Sequence, residues 1–157
     1  LRKADCPTYA DGGVAMILAS EGKAEQLCDR PAWITGIDHR MDAHQFGVRD
    51  FTSIPSARIA AEKARVHDGP IDVAELHAAY TTHDILLRQE IGLPTNPDHS
   101  QRSYPINADT LMASGLLRIA EAARSIWDGK ANRALAHATS GPLMQQNLIC
   151  VLAGESN

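Results

Sequence analysis

The sequence predicts a layered α/β domain, built on a mixed five-stranded sheet with helices on both faces. Stretches with the apolar pattern of strands alternate with helix-like stretches along most of the 157 residues. Residues 71–76 carry apolar side chains on both faces, as a strand buried between two helical layers requires. Residues 110–127 repeat apolar side chains every three or four positions, as a helix covering a sheet does. We therefore expect residues 71–76 and 133–138 to form central strands.

The first half of the chain predicts two strands and two helices. In order, these are a buried strand at 14–18, a short helix at 20–28, a strand at 31–37, a polar loop at 38–53 and a helix at 56–66. Gly12 and Gly13 indicate a turn into the first strand. Ser20 is a suitable cap for the first helix, and Pro55 for the entrance to the second. The second helix has a face of small residues, which suits close packing on a sheet.

The second half predicts a strand, two helices and a closing hairpin. In order, these are a strand at 71–76, a helix that stops at Gly92, a loop at 94–105, a helix at 110–127, and paired strands at 133–138 and 148–153. Thr81 and Asp84 have the spacing of a capping box at the start of the first of these helices. The apolar stripe of the second consists of Met112, Leu116, Ile119, Ala123 and Ile126.

A cluster of polar side chains follows the strand at 71–76 and precedes the next helix. It contains His77, Tyr80 and His83. In open α/β sheets, ligands bind where the carboxyl end of a strand meets the amino end of a helix. We therefore expect these three residues to be candidate catalytic residues. For His77, a structural hydrogen bond in the core is the alternative.

Composition excludes several classes of partner. The net charge is −4 and the Lys and Arg residues are scattered, so we expect no nucleic acid or anionic membrane as a partner. No apolar stretch approaches the roughly 18 residues of a membrane span. The basic start is followed by no apolar core and so does not resemble a signal peptide, and without an initiator Met we expect a fragment or a processed piece.

The cysteines and histidines predict neither disulfides nor a metal site. Cys6, Cys28 and Cys150 are odd in number and widely spaced, which fits a reducing cytoplasm. His39 and His44 match no zinc-ligand spacing. The chain also has no Gly-rich phosphate loop, no Ser/His/Asp elbow and no H-E-x-x-H segment, which argues against nucleotide hydrolysis, α/β-hydrolase chemistry and zinc proteolysis.

Several segments carry a resemblance to a known family. They read DCPTYADGGVAMILAS, ELHAAYTTHDILLRQEIGL, YPINADTLMASGLLRIAEAAR and ALAHATSGP. In order and spacing they resemble the second half of the sterol-carrier-protein (lipid-transfer-protein-like) type of thiolase. The resemblance implies a layered carboxyl-terminal thiolase domain at residues 30–157. Residues 1–29 would be the last strand and helix of the preceding domain.

The resemblance also implies a reaction and its participants. Thiolases move an acyl group between a cysteine thiolate and coenzyme A, so the expected ligand is an acyl-CoA thioester, with no other cofactor. The nucleophilic Cys belongs to the first half of the family fold, and we expect this chain alone to be inactive. The implied partners are a second copy of the chain or a thiolase-like subunit.

The family's site segments match this chain unevenly. The His-Asp-Cys-Phe segment matches residues 77–80, where Ala79 replaces the acid/base Cys and Tyr80 replaces Phe. Asn107 and His137 match further site positions and are candidate substrate-binding residues. The family's Gly-His-Pro turn has no counterpart, so the catalytic motifs are degenerate.

Three functions remain open from the sequence. The first is an acyl-CoA acyltransferase of lipid or sterol side-chain metabolism, in which His77 and either Tyr80 or His83 transfer protons. The second is a thiolase-like aldolase, a carbon–carbon lyase acting on acyl-CoA side chains, which would use Tyr80. The third is a non-catalytic thiolase-like subunit that binds or scaffolds an active partner.

Overall fold

The computed structural model describes residues 2–95, 108–141 and 143–155. The described helices are α1 (Glu21–Leu27), α2 (Pro55–Lys63), α3 (Thr81–Ile91) and α4 (Ser114–Trp127). The described strands are β1 (Thr8–Tyr9), β2 (Trp33–Met41), β3 (Val73–Glu75), β4 (Ala108–Asp109), β5 (Arg133–Ser140) and β6 (Gln146–Ala153). Short 3-10 turns lie at Lys3–Asp5, Phe46–Val48, Val66–Asp68 and Leu111–Ala113.

The main sheet is mixed and has the strand order β2-β6-β5-β3. β6 runs antiparallel to both β2 and β5, whereas β3 runs parallel to β5. β1 and β4 form a separate parallel pair. The predicted α/β class with a mixed sheet is confirmed, with four strands in the described main sheet rather than five.

Of the two strands predicted to be central, β5 is central and β3 is not. β5 lies between β6 and β3, while β3 is an outer strand of the described sheet. The prediction for residues 71–76 is therefore wrong in position, and the strand itself is limited to Val73–Glu75. Apolar side chains on both faces show only that layers cover the strand above and below. These side chains do not indicate which strands lie beside it within the sheet.

Helices cover both faces of the sheet, as predicted. Successive side chains of a strand point to opposite faces. Leu135 and Ile149 pack in one apolar cluster with residues of α2 and α3. Ala136 and Cys150, the next residue of each strand, pack in a second cluster with residues of α4. The sheet is thus the middle layer of three.

The predicted small-residue face of α2 is confirmed. Its helix packs on β2 and β6, and Ala57, Ala60 and Ala61 are completely buried. At Gly36 of β2, an added Cβ atom would lie 2.0 Å from the carbonyl oxygen of Ala64, just past the end of α2. The strand and helix backbones are therefore closer than any side chain at Gly36 would allow.

In the first half, one predicted strand is absent and one predicted strand end is wrong. Residues 14–18 form no strand, and the side chains of Ile17 and Leu18 are 89% and 74% exposed. Their apolar character alone does not fold them, because no second layer in the described part of the chain covers them. β2 continues through residues predicted as loop up to Met41, since Met41 pairs with Gln146 of β6.

The helix signals of the second half are partly correct. Gly92 ends α3 in the left-handed conformation, with φ 79°, as predicted. The predicted capping box is absent: Tyr80 is the N-cap residue, and the Thr81 hydroxyl donates to Asp5 instead. The stripe on α4 is buried only in its later part, because Met112 lies in the 3-10 turn before the helix and is 97% exposed.

No helix among the described residues combines the length and the hydropathy that crossing a membrane requires.

Candidate active site

The candidate site lies at the edge of the sheet where β3 and β5 end. These strands are parallel, so their carboxyl ends meet at the same edge. His77 lies two residues after β3, His137 lies on β5, and His83 lies in the first turn of α3. His77 lowers the pKa of His83, and both of these rings lower the pKa of His137. The local sequence order strand, polar cluster, helix thus produces the junction that the sequence predicts.

His77 is buried, and both of its ring nitrogens have neighbours. Its Nδ1 atom accepts a 3.4 Å hydrogen bond from the backbone N–H of Thr139. Because a backbone N–H can only donate, Nδ1 carries the lone pair and the proton of the neutral ring is on Nε2. Nε2 lies 3.6 Å from Oδ1 of Asp109. Burial lowers the pKa of His77, and nearby Arg118 adds to this although Asp109 opposes it, so the ring is neutral at pH 7.

Asp109 is an ionised carboxylate beside His77. Its Oδ1 atom accepts hydrogen bonds from the Ser114 hydroxyl at 2.6 Å and from the Leu111 backbone N–H at 2.8 Å. Burial would raise the pKa of Asp109, but these hydrogen bonds and His77 together lower it. Since His77 is itself neutral at pH 7, we assign the lowered pKa mainly to the Ser114 and Leu111 hydrogen bonds.

Tyr80 and His83 form the second part of the site. Their rings meet edge to face, with centroids 4.9 Å apart and planes at 72°. The Nδ1 atom of His83 is buried and has no hydrogen-bond partner in the part of the chain that the structure describes. Burial lowers the pKa of His83, and His77 adds to the effect. His83 is therefore also neutral at pH 7.

The side chain of His137 is completely buried. Its Nε2 atom lies 2.9 Å from Oδ1 of Asn147 on β6. Its Nδ1 atom has no partner among the described residues. Burial lowers its pKa to about 4, in spite of the hydrogen bond to Asn147. His137 is a neutral imidazole with one nitrogen unused.

A pocket of about 190 Å³ opens beside His83. Its wall is mixed: five residues are apolar, and Arg49, Ser53, Thr82 and His83 are polar. The full lining consists of Arg49, Phe51, Ser53, Ile54, Thr82, His83, Leu86, Leu143 and Met144. An apolar cavity of about 150 Å³ holds a molecule as large as benzene, so this pocket is large enough for a short acyl group.

The structure brings four of the five predicted site residues to one edge of the sheet: His77, Tyr80, His83 and His137. The fifth, Asn107, lies outside the described residues. Whether each takes part in catalysis or binding stays a prediction. In the described ranges, no group of three His, Cys, Asp or Glu residues is arranged to hold a metal ion.

Sequence reasoning missed Asp109 and Asn147 as site residues. Asp109 has a recognisable signal as a cap, and it does accept from the backbone of the turn that precedes α4. Its second role beside His77 has no sequence signal, because residues 77 and 109 meet only through the fold. Asn147 had no such signal, because it follows Gln145 and Gln146 just before the apolar run at 148–153.

The fold is that of a thiolase-like α/β domain. Among solved structures, the chain is similar to a monomeric SCP2-thiolase-like protein type 1 from Mycobacterium smegmatis, with a TM-score of 0.66 and 16% sequence identity. The match covers 80% of this chain and 30% of that one. The predicted resemblance to the sterol-carrier-protein type of thiolase is confirmed at the level of fold.

Sequence comparison finds similarity to two acetyl-CoA acetyltransferases. The chain is 26% identical over 160 residues to an acetyl-CoA acetyltransferase of Methanothermobacter thermautotrophicus, covering 81% of this chain and 38% of the relative. It is 27% identical over 99 residues to an acetyl-CoA acetyltransferase of Methanocaldococcus jannaschii, covering 59% and 25%. No protein-family model matches the chain. The chain thus spans at most 38% of the length of these relatives.

Proposed function

We propose that this chain is the carboxyl-terminal part of a thiolase-like acyl-CoA acyltransferase of lipid or sterol side-chain metabolism, working in the cytoplasm. Residues 30–157 would form the carboxyl-terminal domain, and residues 1–29 would belong to the domain before it. The similarity to two acetyl-CoA acetyltransferases supports the reaction class. The observation that carries the proposal is the group of neutral histidines at the sheet edge where ligands bind in α/β folds.

Unpaired ring nitrogens favour a ligand site over a purely structural cluster. The Nδ1 atoms of His83 and His137 are buried without a partner in the described chain. Leaving a buried polar group unpaired costs about 1–3 kcal/mol, a large part of the 5–15 kcal/mol that stabilises a typical domain. A subunit that only scaffolds a partner has no need for this cost, whereas a ligand supplies the missing contacts.

We assign different tasks to His77, His83 and Tyr80. His77 has its lone pair engaged by Thr139, so what it offers a substrate is the Nε2–H donor. Such a donor stabilises negative charge on a thioester or enolate oxygen, an effect that reaches about 100-fold in rate or more. His83 has a ring nitrogen without a partner in the described chain and is better suited to accept a proton. Tyr80 packs against the His83 ring and orients it.

The buried Cys150 does not replace the missing nucleophile. Cys150 is buried, and burial raises its pKa to about 11. A thiol with that pKa is almost wholly protonated at pH 7 and is a poor nucleophile. As the thiolase resemblance implies, we place the nucleophilic thiolate in another part of the complete protein, or in a partner thiolase-like subunit or second copy.

The aldolase alternative rests on Tyr80. An aldolase that uses tyrosine as its acid or base needs a phenol beside a second proton-transfer group, and the Tyr80–His83 pair fits this requirement. Retro-aldol cleavage of a hydroxyacyl-CoA without thiolysis of a ketoacyl-CoA would favour this function.

The test is a kinetic comparison in the protein produced from its complete reading frame. We expect His77→Ala, His83→Ala and Tyr80→Phe each to reduce thiolysis of acetoacetyl-CoA at least tenfold with little change in melting temperature. His39→Ala is the matched control, since His39 lies exposed on β2, and it should retain full activity.

The scaffold alternative predicts the reverse pattern. Lower melting temperatures for the three site variants, with unchanged turnover by the assembled protein, would contradict an active site here.

A further inference from the structure

The side chain of Asn147 is held in one orientation by two hydrogen bonds. Its Nδ2 atom lies 2.8 Å from the carbonyl oxygen of Met144. A carbonyl oxygen can only accept, so this contact identifies the amide nitrogen and leaves Oδ1 to face His137. The Oδ1 atom is 2.9 Å from Nε2 of His137. Because Oδ1 can only accept, Nε2 must carry the imidazole proton.

The same chain of hydrogen bonds continues from Asn147 to the buried Ser56 of α2. Asn147 Nδ2 also donates to the Ser56 hydroxyl at 2.7 Å. The Ser56 hydroxyl in turn donates to Oδ2 of Asp42 at 2.6 Å, and the Ser56 backbone N–H donates to Oδ1 of Asp42 at 3.1 Å. Every donor along this path has an acceptor, and the path ends at a carboxylate. The tautomer of His137 is therefore built into the packing of β6 against α2.

Strand register explains how two distant residues meet in this way. Thr139 of β5 pairs directly with Asn147 of β6, and His137 is two residues before Thr139 on the same face. Asn147 therefore reaches diagonally across the hairpin to His137, as neighbours in antiparallel sheets do.

The Nδ1 atom of His137 has no hydrogen-bond partner among the described residues. It holds the lone pair of a completely buried ring, and no described residue donates to it. Thr139, two residues after His137 on β5, donates its backbone N–H to His77, and both His77 and His83 lower the pKa of His137. His137 therefore lies close to the candidate site. A buried acceptor without a donor in this position indicates a ligand or bound water that supplies one.

We propose that Asn147 is a positioning residue that holds His137 as the Nε2–H tautomer, so that Nδ1 accepts a hydrogen bond from a ligand entering the histidine cluster. The ligand donor is a neutral N–H, O–H or S–H group at the reactive end of coenzyme A. This choice of ligand rests on the proposed function, whereas the tautomer rests on geometry alone.

The first measurement is the tautomer of His137 in the complete protein. Long-range ¹H–¹⁵N spectra of the imidazole rings at pH 7 should show the proton on Nε2. Asn147→Ala should convert His137 to a mixture of tautomers. Ser56→Ala is the matched control, because Asn147 then still donates to Met144, and the Nε2–H tautomer should persist. A wild-type ring protonated on Nδ1 would overturn the proposal.

The second measurement is coenzyme A binding by His137→Gln. The glutamine amide N–H₂ takes the place of Nε2–H and keeps the hydrogen bond to Asn147, but nothing replaces Nδ1. We expect affinity for coenzyme A to fall at least tenfold while the melting temperature stays close to that of the wild type. Wild-type affinity in this variant would overturn the ligand contact. Failure of the wild type to bind coenzyme A would contradict the proposed function instead, and the spectra would still decide the tautomer.

Discussion

Three histidines, of which two are buried and His83 is half-buried, dominate the electrostatics of the site. His77, His83 and His137 all have a lowered pKa, with burial as the largest cause in each case. In the unfolded chain the same rings take up protons near pH 6.5. Acidification therefore favours the unfolded state, because it binds more protons than the folded state does.

The consequence at the residue scale is a loss of stability in mild acid. A lowered histidine pKa contributes stability above pH 6.5, which is lost as the pH falls toward the folded value of about 4 for His137. His137 alone should lower the free energy of unfolding by about 2 kcal/mol between pH 7 and pH 5. Asp109, whose pKa is also lowered, affects stability only at more acidic pH. Urea unfolding at pH 7, 6 and 5 measures the change.

His137→Gln separates the contribution of this ring from those of the other two. The variant should lose a smaller part of its stability between pH 7 and pH 5 than the wild type does. Equal free energies of unfolding at pH 7 and pH 5 in the wild-type protein would contradict the lowered pKa values.

At the same scale, sequence reasoning found the titratable groups but not their partners. His77, Tyr80 and His83 stand together in the sequence after a strand pattern, and their grouping is a local signal. The pairs His77–Asp109 and His137–Asn147 each join residues from different elements. Such pairs depend on strand register and on how helices enter the sheet edge. A single sequence carries no direct record of either.

At the scale of elements, the contact between β2 and α2 is the tightest point of the fold described above. Gly36→Ala would place a methyl group against the backbone carbonyl of Ala64, which cannot rotate away. Overpacking of this kind typically costs about 1–3 kcal/mol, and we expect a loss in that range by chemical denaturation.

Gly47→Ala is the matched control for this contact. Gly47 lies in a 3-10 turn, and an added Cβ atom there would meet nothing within 4 Å. The control should change the free energy of unfolding by less than about 0.5 kcal/mol, as surface substitutions usually do. Equal effects of the two substitutions would show that strand and helix are farther apart than described.

Elements were predictable where a local signal was complete. Gly92 ends α3 because glycine accepts the left-handed conformation that this C-cap requires. The start of α4 was placed too early, because Leu111 adopts a positive φ of 52° and the chain first makes a 3-10 turn. The end of β2 was placed too early for another reason: pairing with β6 extends a strand through polar residues.

At the scale of the whole molecule, one part of the sheet lacks cover in the described chain. Ile34 and Ile37 of β2 are 44% and 55% exposed. They pair with Leu152 and Cys150, which face α4, but α4 packs on β3, β5 and β6. Ile17 and Leu18 add further exposed apolar surface. Apolar surface of this kind favours association.

We therefore expect this chain, prepared alone, to self-associate with rising concentration. Sedimentation velocity should show association that Ile37→Lys reduces. Ile59→Lys is the matched control, because Ile59 is 40% exposed on α2, on the opposite face of the sheet, and it should leave association unchanged. A wild-type monomer across the whole concentration range would contradict this expectation.

The central claim is that the histidine cluster at the edge of the sheet receives an acyl-CoA thioester. The most direct test is titration of the complete protein with acetyl-CoA. The ring signals of individual histidines in ¹H–¹⁵N spectra are recorded at each step. We predict saturable shifts for His77, His83 and His137, while the exposed His39 stays unchanged. Saturable binding of acetyl-CoA with no shift of any of these three rings would contradict this prediction.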